Sequence, residues 1–142
     1  RPRIGAAKPV VDTETLHAVI ANRYDVLARY ASSLKATYAE ELAKLKARAP
    51  QDAEILKRVR RWLIRDDAKL AAAERAALEE SLAKSKALQT AYSMRQELTA
   101  LWNRSSATRE QLVAQLQDWC HRAEGSGIGP LREFSMRLRS YA

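Results

Sequence analysis

Two histidines in this sequence each follow an acidic residue by three positions. Glu14 with His17 is a Glu-x-x-His pair, and Asp118 with His121 repeats the spacing with a shorter acid. In a helix this spacing brings both side chains to one face. A ferritin-like di-iron centre needs the pair twice and two further glutamates. Neither histidine has a second histidine three to five positions away, which is the spacing that would form half a site on a helix. We therefore expect no metal site at Glu14, His17, Asp118 or His121.

A cysteine stands next to one of these histidines. Cys120 and His121 could in principle form a nucleophile and its base. Neighbours in a helix point about 100° apart, however, and do not face each other. Cys120 shares helical spacing with Leu116 and Trp119, so we predict that it is a buried core residue. A single cysteine forms no internal disulfide, which favours a reducing, cytoplasmic compartment.

The strongest concentration of charge is a basic run in the middle of the chain. Its members are Lys57, Arg58, Arg60, Arg61 and Arg65. Two interpretations stay open. The run could bind phosphate groups, either of nucleic acid or of anionic lipid. It could also be only the solvated face of an amphipathic helix, which is what most charge runs are.

No motif for nucleotide binding is present. The sequence lacks both GxxxxGK[ST] and GxGxxG, and the glycine-rich segment 125–129 follows a helical pattern, not a strand. We therefore predict a helix–helix turn there. Three tryptophans fall at helical spacing from leucines, which indicates core packing: Trp62, Trp102 and Trp119. On its own, this chain looks non-catalytic.

The composition favours helices over strands. Alanine and leucine account for 26 and 17 of the 142 residues, against 11 valines and isoleucines together. We predict an all-α helical bundle of about six helices. Residues 1–11 form a basic flexible lead-in, and residues 12–142 form a single helical domain. No uncharged stretch approaches the roughly 18 residues of a membrane span. The net charge is +8.

Periodicity and capping residues place the helices. Apolar residues recur at intervals of three and four from Leu16 to Leu45, which predicts one N-terminal helix that lasts until Pro50. At about 50 Å it would project as a stalk or kink near Ser32–Ser33. Its apolar face is longer than one small bundle covers, so we predict a homodimer.

Later boundaries follow from local signals. Asp52 can cap a short amphipathic helix, and Asp66-Asp67 marks a turn. Another helix spans 71–84, Ser85 caps the next, and Thr108 with Gln111 forms a capping box. Pro130 suits the first turn of a last helix.

Several segments resemble the part that follows the catalytic core in proteobacterial membrane fatty-acid (acyl-CoA) desaturases. They are residues 16–30, 61–66, 86–92, 116–128 and 138–141. The resemblance implies a non-catalytic C-terminal domain that interacts with or regulates a di-iron enzyme at the cytoplasmic face of the bacterial inner membrane. The parent enzyme would carry iron, and this part would hold no cofactor. The implied partners are the catalytic membrane half, anionic lipid and an acidic redox partner.

The second half of the chain also resembles the C-terminal tail of ISL3-family transposases. The similar features are Trp62-Leu63, Leu101-Trp102, Ser126-Gly127-Ile128 and the leucines and phenylalanine that follow. This resemblance implies a DNA-binding or assembly tail, in which the same basic run would contact phosphates. We rank it second, and nucleic acid behind lipid as a partner, because the first forty residues fit the desaturase pattern better.

Overall fold

A computed structural model describes residues 13–65, 69–104 and 106–141. These residues form seven α-helices and one 3-10 helix, without a strand, which confirms the all-α prediction. The elements are α1 Thr13–Ala21, α2 Arg23–Arg48, α3 Pro50–Leu56, the 3-10 helix Lys57–Arg61, α4 Ala72–Leu82, α5 Lys86–Trp102, α6 Arg109–Glu124 and α7 Gly129–Leu138. Within these ranges no helix has both the length and the apolar character to cross a bilayer. The predicted lead-in and the Asp66-Asp67 turn lie outside the described residues.

The predicted N-terminal helix is two helices. The chain breaks at Asn22, where φ is −121° and ψ is 51°, and it continues without interruption through Ser32–Ser33. Asn22 Nδ2 donates to Ala18 O at 2.8 Å, and Trp102 Nε1 donates to Ile20 O at 2.8 Å. Two carbonyls that a continuous helix uses internally are thus occupied by side chains. The break removes the predicted stalk.

Helix α2 runs along the middle of the bundle and packs against α3, α5 and α7. Most of its apolar positions are covered within the chain, although Tyr24 is exposed, and Val26, Tyr30 and Leu34 are completely buried. Other helices of the same chain therefore cover the face that we expected to be exposed. This face no longer gives a reason to expect a homodimer. The homodimer itself stays a prediction.

Tyr30 is the centre of the core. Its ring makes edge-to-face contacts with Trp119 and Phe134, at centroid distances of 5.7 and 4.9 Å. Its hydroxyl donates to Ala91 O at 2.6 Å, and burial raises the pKa of Tyr30, so this group stays a donor. One side chain of α2 thereby contacts α5, α6 and α7 together.

The segment after Pro50 differs from the predicted helix. Ala49 leaves the helical conformation with φ −149° and ψ 77°, as expected for a residue before proline. Helix α3 then ends at Leu56, and the basic run continues as a 3-10 helix. In this tighter helix residues three apart are eclipsed, so buried Val59 and Trp62 share one row.

The predicted caps at Ser85 and Thr108 are confirmed, whereas the predicted cap at Asp52 is wrong: the N-cap of α3 is Ala49, and Asp52 lies within the first turn. Ser85 Oγ accepts from Leu88 N at 3.1 Å at the start of α5. Thr108 and Gln111 exchange side-chain and backbone hydrogen bonds of 3.1 and 2.8 Å at the start of α6. Gly127 adopts a φ of +78° in the turn between α6 and α7, a conformation that favours glycine. Pro130 lies in the first turn of α7.

An ion pair fastens α7 to α6. Arg139 Nη2 and Nε donate to the two oxygens of Glu124 at 2.7 and 3.0 Å, and Ser135 Oγ donates to the same carboxylate at 2.7 Å. Burial alone would raise the pKa of Glu124, but the hydrogen bonds from Arg139 and Ser135 outweigh it and lower this pKa. Both charged side chains are mostly covered.

The hydroxyl of Tyr30 is expected to stabilise the fold measurably. In Tyr30→Phe we expect the free energy of unfolding to fall by about 1 kcal/mol, because a buried hydrogen bond is lost while the ring contacts remain. Urea denaturation measures this change. Tyr24→Phe is the matched control, since Tyr24 is 83% exposed. Equal stability of the two variants would contradict the assignment.

Glu124 should make stability depend on pH. Its pKa is lowered on folding, so its contribution is complete above the unfolded value near 4.5 and is lost as the pH falls through the folded value. We expect Glu124→Gln to cost roughly 1–3 kcal/mol at pH 7 and progressively less below pH 4.5. Denaturation at several pH values tests this. Glu133→Gln, which removes an exposed pair with Arg137, should change stability by less than about 0.5 kcal/mol.

Candidate nucleic-acid interface

The basic run lies on the outer side of the 3-10 helix and the turn that follows it. Val59, Trp62 and Leu63 are buried and anchor this segment to the bundle. The intervening positions face solvent. Because residues three apart eclipse in a 3-10 helix, Lys57 and Arg60 form one row, and Arg58 and Arg61 form the next. We call the five predicted residues the basic surface.

Three members of the basic surface already have acidic partners. Lys57 Nζ lies 2.7 Å from Glu54, Arg58 Nη1 lies 3.7 Å from Glu80, and Arg65 Nη1 lies 3.7 Å from Glu74. All three pairs are largely exposed to solvent, so each is worth little and can exchange its partner.

Arg60 and Arg61 differ from the other three. Both are exposed, and neither forms an ion pair with a described residue. Arg60 lies near enough to Tyr38 to oppose the rise in the pKa of Tyr38 that burial causes. An exposed arginine without a carboxylate keeps its five donors available for an anion.

A further arginine, which the sequence did not single out, holds the turn beside this surface. Arg95 of α5 donates from Nη1 to Arg65 O at 3.1 Å and from Nη2 to Ile64 O at 3.2 Å. The sequence around Arg95 offers only a helical residue among polar neighbours. Contacts between residues thirty positions apart leave no local signal, so only the structure shows this arginine beneath the turn.

Glu74 closes the other side of the turn. The Ala71 amide donates to Glu74 Oε1 at 3.0 Å, and this hydrogen bond is the main reason that the pKa of Glu74 is lowered. Glu74 is thus a charged acceptor at the start of α4 that also faces Arg65. Asp66 and Asp67, which follow Arg65 in the sequence, lie outside the described residues.

The residues considered for metal chemistry lie on two helices that pack against each other. His17 lies on α1 with Glu14, and His121 lies on α6 with Asp118. Among the described residues no three histidine, cysteine or acidic side chains lie close enough together to hold a metal ion. Asp118 instead accepts from Arg122 at 2.9 Å.

Cys120 is a core residue, as predicted. It is completely buried, and its carbonyl oxygen lies 3.2 Å from Ser135 Oγ, whose proton goes to Glu124. Burial raises the pKa of the Cys120 thiol to about 11, although a hydrogen bond with Ser135 acts in the opposite direction. The three tryptophans also belong to the core or pack against it, and Trp119 Nε1 donates to Met94 O at 2.9 Å.

The thiol of Cys120 should accordingly be unreactive in the folded protein. We expect its reaction with Ellman's reagent at pH 7 to be at least about 100-fold slower than in denaturant, because the thiolate is the nucleophile and is both rare and buried. Absorbance of the released thiolate gives the rate, with Cys120→Ser as the blank. A native rate near that of the denatured chain would restore the nucleophile hypothesis.

Comparison with known proteins identifies the family. The family model DDE_Tnp_ISL3, described as a transposase, matches residues 10–142. No curated protein and no solved structure gives a significant match. The first-ranked resemblance, to the C-terminal domain of a membrane fatty-acid desaturase, is therefore wrong, and so are the roles in lipid metabolism and oxidation that it implied. The resemblance of the second half of the chain to transposases extends over nearly the whole length. The chain belongs to the ISL3 family of DDE transposases.

Proposed function

We propose that this helical domain holds DNA for an ISL3-type transposase, with the basic surface as its contact with the phosphate backbone. The proposal joins two observations. A transposase acts on DNA, and the match to that family covers residues 10–142. The described part of the chain carries a 3-10 helix and following turn with five basic residues, of which four are exposed and Lys57 is half-buried.

The single observation that carries the proposal is the state of Arg60 and Arg61. The other three members of the basic surface have carboxylates within 4 Å, whereas these two have none among the described residues. The guanidinium group matches the geometry of a phosphate and can bind it through two parallel hydrogen bonds. Consecutive side chains of a 3-10 helix point about 120° apart, so the two groups would contact different phosphates of the backbone.

The charge of the whole chain supports the same partner. A net charge of +8 creates a positive field that draws a polyanion toward the protein. Contacts of this kind release counterions, so they weaken with salt and carry no sequence information. The basic surface would therefore position the transposase on DNA, and the choice of sequence would come from other contacts.

Binding of a duplex should depend on Arg60 and Arg61. We expect the 142-residue chain to bind a fluorescein-labelled 25-base-pair duplex with a salt-dependent affinity, measured by anisotropy at 50 and 150 mM NaCl. The double variant Arg60→Ala/Arg61→Ala should lose about tenfold in affinity at 50 mM. Its slope of log affinity against log salt should be smaller by about 2, because two phosphate contacts are lost.

A charge-matched variant distinguishes binding at Arg60 and Arg61 from attraction of DNA by the overall positive charge of the protein. Arg104→Ala/Arg132→Ala removes the same two charges from exposed positions elsewhere on the surface and should lose less than about threefold. Circular dichroism checks that both double variants are folded. Equal losses in the two variants would contradict the assignment to Arg60 and Arg61, and no binding by the unaltered chain at 50 mM would refute the proposal.

A further inference from the structure

An apolar side chain is exposed near the C-terminal end of the basic surface, between Arg61 and Arg65. Ile64 is 44% exposed and is flanked by the buried Leu63 and by Arg65. Only two other large hydrophobic residues of the described chain are more than about a third exposed, Tyr24 and Met136. The exposed part of the Ile64 side chain leaves apolar surface in water, which burial against a partner would remove. The exposed apolar surface of this residue, which lies between two arginines, is therefore available for contact with a binding partner.

The backbone that carries Ile64 is held firmly. The Arg65 amide donates to Trp62 O at 3.1 Å, and the Leu63 amide donates to Val59 O at 2.9 Å. The carbonyls of Ile64 and Arg65 are both bonded to the guanidinium of Arg95. The side chains of Trp62 and Leu63 are buried beneath the turn. Ile64 thus projects from a fixed platform, and its insertion into a partner would cost little backbone entropy.

We propose that Ile64 is a wedge that inserts between base pairs from the minor groove while Arg60 and Arg61 hold the flanking phosphates. The inference rests on the proposed function and specifies how the same surface treats DNA. Proteins that enter the minor groove combine arginines with a projecting Leu, Ile, Met or Phe, which unstacks one base step and kinks the duplex. Ile64 and its neighbouring arginines supply both parts within a few residues.

The surroundings of Ile64 fit a narrow, negatively charged groove. The exposed positions on either side along the chain are Arg61 and Arg65, and Arg95 adds positive charge directly under the turn. Such charges are attracted to the minor groove of A·T-rich DNA, where the negative potential is strongest. Insertion is easiest at flexible steps such as TA and CA/TG, so the wedge would favour DNA with one of these steps at its centre.

A measurement of DNA bending distinguishes insertion of Ile64 between base pairs from binding to the phosphate backbone alone. The probe is a 25-base-pair duplex with a central TA step and a fluorescent donor and acceptor at its ends, read by energy transfer at saturating protein. The unaltered chain should shorten the end-to-end distance, as a kink in the range of about 20–90° does. Ile64→Ala should abolish the shortening and lose less than about fivefold in affinity, and Ile64→Leu should keep the bend.

The control is Met136→Ala, which removes an equally exposed apolar side chain from α7 and should leave both affinity and bend unchanged. Binding without bending by the unaltered chain, or an unaltered bend with Ile64→Ala, would overturn the wedge and leave the proposed function standing. Absence of DNA binding would overturn both. Loss of binding by Ile64→Ala equal to that of Arg60→Ala/Arg61→Ala would also contradict the wedge, since it would make Ile64 part of the attachment itself.

Discussion

The hydrogen bond from the Tyr30 hydroxyl to Ala91 O is the contact on which the rest of the arrangement depends. It ties the central helix α2 to α5 at a fully buried point, where a hydroxyl without a partner would cost roughly 1–3 kcal/mol. The ring of the same tyrosine packs edge-to-face against Trp119 of α6 and Phe134 of α7. Because the hydroxyl and the ring are parts of one rigid side chain, the positions of three helices around α2 are set together.

The same stretch of α5 connects this core to the basic surface. Ala91 accepts from Tyr30, Met94 accepts from Trp119, and Arg95 holds the turn at Ile64 and Arg65. These contacts fall within little more than one helical turn. The basic surface is therefore attached to the best-packed part of the protein, although it lies on the outside. A preorganised surface of this kind binds a ligand more tightly, because little conformational entropy is lost when the complex forms.

Local signals explain what the sequence could and could not predict. The caps at Ser85 and Thr108 and the turn at Gly127 were predictable because each depends on residues within three or four positions. The break at Asn22 was not, since it also requires Trp102, eighty positions away, to bind the carbonyl of Ile20. The basic residues could be named from the sequence. The sequence could not tell which of them have an acidic partner among the described residues, because Glu74 and Glu80 reach Arg65 and Arg58 from another helix. The family was ranked wrongly because spaced apolar and aromatic residues describe helical packing, which unrelated helical proteins share.

The clamp by Arg95 has a consequence for how this surface can change over evolutionary time. Its two hydrogen bonds reach main-chain oxygens, so it is indifferent to the side chains that those residues carry. Mutations at positions 64 and 65 can therefore replace the tip of the turn without displacing it. The side chains at the tip can therefore vary in size and polarity while the backbone of the turn keeps its place.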